Sequence, residues 1–214
     1  MDQAGIQTKV HYGYRKAAQY LGALFDHYRP SDPLYPLDDK LGTVMADFDA
    51  SPVFSYKNPG KYASAVYYGL FDGTNVRHGD YLIKPDGTDK WFVAGIEPNK
   101  PFLCVRCNQV ISIKRPSAAQ PNRAYYGGGR RTDEDLLMDG WPASSLQGTK
   151  GERGIVDLPG DTRMSWIIVL LPSALDVSIR AFDRLYDDAG RAWVLSSVER
   201  TNLGWRLTAS MADV

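Results

Sequence analysis

"GDYLIKPDGTDKWFVAGIEPNKPFLCVRCN" (residues 79–108) and "FDRLYDDAGRAWVLSSVERTNLGWRLTAS" (residues 182–210) are two versions of one pattern. In each, an aspartate (Asp80, Asp183) is followed two residues later by a leucine (Leu82, Leu185). A turn with Asp and Gly comes next: Asp86-Gly87 in the first, Asp188 and Gly190 in the second. A tryptophan (Trp91, Trp193) then opens an apolar run, and a polar loop leads to a last run at Leu103–Asn108 or Trp205–Ser210. Asp-Gly turns supply the positive-φ positions of tight reversals, and Trp with branched residues fills one face of a sheet. The pattern is a hairpin plus one more antiparallel strand, present twice. It predicts two small β units, each a barrel or sandwich.

Working outward, Ile6, Val10, Tyr14, Ala17, Ala18, Leu21, Leu24 and Phe25 recur at helical spacing, which predicts an N-terminal helix ended by Pro30 and Pro33. The expected fold is mainly β with an N-terminal α-helix: two small antiparallel β-barrel or sandwich units joined by a long extended arm. The expected divisions are a helix over 1–30, an extended connector over 31–61, a first β unit over 62–116, a Gly/Pro-rich arm over 117–163 and a second β unit over 164–214. Connections as long as the two irregular stretches are uncommon and read as arms or functional loops.

The chain has 214 residues, 43% hydrophobic and 23% charged, with zero formal net charge. These are globular values, and the balance carries no basic excess that would point to nucleic acid or a membrane surface. The start has no basic and apolar leader pattern, and the longest apolar run, Trp166–Leu171, is too short to cross a bilayer. The expectation is a soluble protein made in a reducing cytoplasm, with no membrane and no specific nucleic-acid partner.

Cys104 and Cys107 form a C-x-x-C, but they fall on the last strand of the first unit. Residues three apart on a strand face opposite sides, about 10 Å apart, whereas a disulfide needs Cα atoms within about 7 Å. A zinc site needs a second ligand pair, and His11, His27 and His78 are scattered upstream. Buried small side chains are expected, with no metal and no cofactor. Asp80 and Asp183 read as turn or strand-edge residues, since no histidine or second carboxylate recurs beside them.

Within the arm, "YYGGGRR" (125–131) lacks the Gly-Lys-Ser/Thr of a phosphate loop, and Asp133, Glu134 and Asp135 offset its charge. "WPASSLQGTKG" (141–151) has serines but no G-x-S-x-G, and no histidine follows His78. The sharper reading of the arm is a segment that docks on a neighbouring subunit. Its candidate interface residues are Tyr125, Tyr126, Arg130, Arg131, Trp141, Lys150 and Arg153.

Four groups of residues carry a resemblance: "YGYRKAAQYLG…YRPSDPLYPL", "GDYLI…DG…WFVAGIEP…PFLCVRCN…ISIKRP", "GWPASSLQGTKGE…LPGDTR…LLP", and the D–GR–WV–SS–E–T–LGWRL series after Asp187. Over nearly the whole chain they resemble a group of uncharacterised virion structural proteins of tailed bacteriophages and prophages. The middle unit is also similar to the small β-barrels of head–tail connector and stopper proteins. The resemblance implies a non-enzymatic virion component, made in the host bacterial cytoplasm and located in the neck or tail. Its implied partners are other copies of itself in a ring of about six or twelve and other neck or tail proteins. A baseplate or tail-tip component is the alternative. A ligand-binding β module using exposed Trp and Tyr is more distant, and an enzyme acting through Asp80, Asp183, Cys104 or His78 is last.

Overall fold

The computed structural model describes residues 2–49, 65–116, 134–147 and 166–212. Among the described residues one helix, α1 (Gln3–Leu21), precedes twelve strands. Asp2 caps the helix by accepting a hydrogen bond from the Gly5 amide at 2.9 Å. The helix lays His11 and Tyr14 against Phe102, with ring centroids 5.6 and 6.2 Å apart, and buries Ala18.

The helix ends at Leu21, short of the expected Pro30. Gly22 is extended, and a Cβ there would lie 2.5 Å from the Ala46 carbonyl oxygen, so the chain passes too close to a neighbouring strand for any other residue. The next residues form a strand, β1 (Ala23–Tyr28), in which Phe25 and His27 turn inward. Leu24 and Phe25 fit the helical spacing but belong to this strand.

Six strands close the first barrel: β1, β2 (Lys40–Asp49), β3 (Val66–Phe71), β4 (Tyr81–Ile83), β5 (Lys90–Gly95) and β6 (Phe102–Cys107). Six more close the second: β7 (Gln109–Pro116), β8 (Glu134–Gln147), β9 (Trp166–Leu171), β10 (Arg184–Asp187), β11 (Ala192–Thr201) and β12 (Gly204–Met211). All pairs are antiparallel, running β1-β2-β3-β6-β5-β4 in the first and β7-β8-β9-β12-β11-β10 in the second. The topology is therefore the same, with β7 to β12 standing for β1 to β6. Even the irregularity repeats: the register slips between Val93 and Gly95 on β5, and between Leu195 and Ser197 on β11.

The architecture is thus two antiparallel β-barrels behind one helix, and the echoed stretches are the second halves of the two. The divisions between them differ from the expected ones. The connector contains β2, a wall of the first barrel. The arm contains β8, the longest strand, and Gln109–Pro116 begins the second barrel rather than ending the first. The boundary is Asn108 alone. Its side-chain amide donates to the Ser145 carbonyl at 2.8 Å, and its Oδ1 accepts from the Ser145 amide at 2.7 Å.

Phe25, Phe71, Leu82, Trp91, Val93, Phe102 and Cys104 fill the first barrel. The opposite faces of β4, β5 and β6 carry Tyr81, Phe92 and Val105, which join the core of the second barrel. Tyr81 packs edge-on against Trp141, centroids 6.2 Å apart, and donates its hydroxyl to the Pro142 carbonyl at 2.7 Å. Trp141 Nε1 donates to the Pro33 carbonyl at 2.6 Å. Aromatic area and satisfied polar tips together hold the barrels as one body.

Candidate functional site

The two recurring aspartates of the pattern are buried, 1% and 2% exposed, and each is held by an arginine from the end of the first strand of its barrel. Arg29 donates from Nε to Asp80 Oδ1 at 2.8 Å and from Nη2 to Oδ2 at 2.7 Å. Arg115 donates from Nε to Asp183 Oδ1 and from Nη2 to Oδ2, both at 2.9 Å. The same arginine heads also donate to the carbonyls of Asn75 and Ser178. The amides of Arg77 and Arg180 donate to the carboxylates at 2.8 and 2.7 Å. The carbonyls of Asp80 and Asp183 accept from Val93 and Leu195. Each carboxylate thus ties the first strand to the loop before the fourth, through a fork-shaped pair that fixes geometry as well as charge, while the backbone carbonyl of the same aspartate joins the fifth strand.

The first clamp has one extra member. His27 Nε2 lies 2.7 Å from Asp80 Oδ2, whereas Ile113 stands at the corresponding place in the second barrel. Burial pushes the Asp80 carboxyl up, but hydrogen bonds from Arg29, His27 and the Arg77 amide outweigh it and leave the carboxyl below its usual range. A polar cleft of about 450 Å³ opens beside this clamp, lined among others by His27, Arg29, Thr43, Asp72 and Arg77. The clamp holds a carboxylate charged and fully bonded, an arrangement suited to bracing the barrel. No serine, cysteine or lysine nucleophile stands among these partners.

A second cleft, about 640 Å³, lies where the β11–β12 turn of the second barrel meets the first. Tyr68, Ile96, Pro101, Leu103 and Leu203 give it an apolar lining, and Glu97 and Lys100 pair beside it. His78 also lines it, with Nε2 buried and without a hydrogen-bond partner.

Cys104 lies in the first barrel's core, while Cys107 packs against the cluster on the other side. Both are free thiols whose pKa is pushed far up by burial. Among the described residues no group of three His, Cys, Asp or Glu side chains is placed to hold a metal, and no helix is long and apolar enough to cross a membrane.

Of the interface candidates, Tyr125, Tyr126, Arg130, Arg131, Lys150 and Arg153 lie outside the described residues. Trp141 lies in β8 at 0% exposure, spent on the contact between the barrels. Sequence reading missed the arginine clamps, although their signal was present: Arg29-Pro30 and Arg115-Pro116 close the first strand of each unit. It also missed Phe182, which is 79% exposed. No family model matches the chain, and no curated protein or solved structure is detectably similar to it.

Proposed function

We propose that this chain is a non-enzymatic structural component of a tailed-phage virion, forming an oligomeric ring or collar at the head–tail neck. The observation that supports this best is the closure of both sheets. A closed barrel has no unpaired edge strand, so neighbours cannot add to the sheets by edge pairing. Association then falls to loops and side-chain faces. Residues 50–64, 117–133 and 148–165 join β2 to β3, β7 to β8 and β8 to β9. The first and last of these occupy equivalent places in the two barrels. The stretches 117–133 and 148–165 carry Tyr125, Tyr126, Arg130, Arg131, Lys150 and Arg153, which are proposed to staple adjacent subunits. The buried, bonded state of Asp80 and Asp183 favours bracing over catalysis. A sugar-binding module displaying tryptophans is disfavoured, because four of the five tryptophans are buried and Trp166 is half-buried.

The test is the native mass of the full chain by light scattering, beside a variant in which 119–131 and 150–163 become short Gly/Ser linkers. Both replacements leave β8 in the barrel. A ring of about six or twelve copies that collapses to a folded monomer in the variant supports the proposal. A trimer points to the baseplate, and a variant that assembles like the parent sinks the stapling role.

A further inference from the structure

Phe182 is 79% exposed, and it stands out from a left-handed backbone, φ 71°. That conformation is unfavourable for any residue with a Cβ. The corresponding position of the first barrel is Gly79, φ 89°. An exposed phenylalanine on a strained backbone gains nothing from its own chain, and such a residue marks a contact made with another molecule.

The contact between the two barrels of one chain is not the one that continues to a second copy. The outer face of β10, which corresponds to the face carrying Tyr81 and Ile83, presents Arg184 and Tyr186, both bonded to Glu134. A polar face of this kind ends a stack. Association through Phe182 needs a different receptor, and the chain has one: the apolar cleft formed by Tyr68, Ile96, Pro101, Leu103 and Leu203. At about 640 Å³ it is far larger than a phenyl ring. The charges around the two features also match. Arg180, two residues from Phe182, is exposed and has no side-chain partner among the described residues. Among the described residues Glu97 at the cleft is paired with the exposed head of Lys100 alone, where solvent screens the pair.

We infer that Phe182 of one copy inserts into the cleft between Ile96 and Leu203 of the next, with Arg180 meeting Glu97. The knob and the hole lie on different parts of the chain, so the contact is head-to-tail and generates a ring when the rotation closes. This inference rests on the ring reading above and gives it a specific joint.

The test uses full-length protein. Phe182→Cys and Ile96→Cys variants are purified separately, mixed and mildly oxidised, with the buried Cys104 and the packed Cys107 as internal background. The expected result is a disulfide-linked pair formed in the mixture at least about tenfold more than in either variant alone. Light scattering on the parent and on Phe182→Gly runs beside it. Glycine suits the backbone there, so this variant stays folded, and it should lose the larger species. A parent that assembles while neither result appears overturns this joint and leaves the ring reading standing. A cross-linked pair from a parent that never exceeds dimers keeps the joint and sinks the ring. A monomeric parent with no cross-link overturns both.

Discussion

Phe182 occupies in the second barrel the backbone position that Gly79 occupies in the first. Both have positive φ, and their amides donate to Leu195 and Val93, at corresponding points of the fifth strands. The surroundings differ. A Cβ on Gly79 would lie 2.7 Å from the Ala174 Cβ of the second barrel, so the junction between the barrels demands glycine. At Phe182 no barrel arrives, and the side chain projects outward.

Opposite outcomes follow for two substitutions at one structural position. Phe182→Gly relieves a left-handed Cβ and should stabilise the isolated chain by about 0.5–1 kcal/mol, after the entropy cost of glycine. Gly79→Ala adds both strain and a clash, and should destabilise by about 2 kcal/mol or more. Urea denaturation of the two variants measures both, and equal signs would overturn the account of the junction.

The clamps differ by His27, and that difference has a measurable consequence. Removing an arginine leaves a buried carboxylate exposed to the full cost of desolvation, on the order of 3–5 kcal/mol. Asp183 then keeps only backbone donors, whereas Asp80 keeps the His27 ring. Arg115→Met should therefore destabilise more than Arg29→Met, by about 1 kcal/mol. Adding Ile113→His to the Arg115→Met chain should recover part of the loss.

Acid should weaken the fold through Asp80. Its carboxyl titrates below the usual range when folded, so the unfolded chain binds its proton first as pH falls. The stability this group contributes is present above the unfolded value of about 3.9 and is lost as pH drops through the lower folded value. Asp187, also lowered because its bonds from Trp193 and Arg191 outweigh burial, adds to the same window. Urea midpoints should fall steeply below about pH 4, and Asp80→Asn should flatten that slope while lowering the plateau. An unchanged slope would remove Asp80 from the acid transition.

The echoed halves of the barrels were readable because Asp-Gly turns and a leading tryptophan punctuate short strands. Their partner halves were not, and particular residues explain why. Leu24 and Phe25 sit at helical spacing from Leu21, and only Gly22 separates helix from strand. In β8 the pairing runs from Ile111–Trp141 to Ile113–Met138, so three steps on β8 oppose two on β7, with Gly140 at φ 68° taking up the excess. That slip, with Pro142 beside it, erases the period-two alternation by which a strand is recognised. The clamps span 51 and 68 residues. Such pairings leave no local pattern, although the recurring Arg-Pro is their trace.

The last comparison concerns two tryptophans. Trp193 Nε1 donates to Asp187 Oδ2 at 3.1 Å. Trp91, at the same place in the first barrel, is buried with its Nε1 unbonded. The reason is one residue: Lys84 stands where Asp187 stands. The turns match, with Gly87 donating to the Lys84 carbonyl as Gly190 donates to that of Asp187. A buried donor without an acceptor costs about 1–3 kcal/mol, so Lys84→Asp should stabilise the chain by about 1 kcal/mol by giving Trp91 its partner. The indole N–H of Trp91 should shift downfield in a nitrogen-filtered proton spectrum and exchange more slowly with solvent. Lys84→Ala, which removes the lysine without adding an acceptor, should do neither. Matching gains from the two variants would mean that loss of the lysine, rather than the new hydrogen bond, is what stabilises the turn.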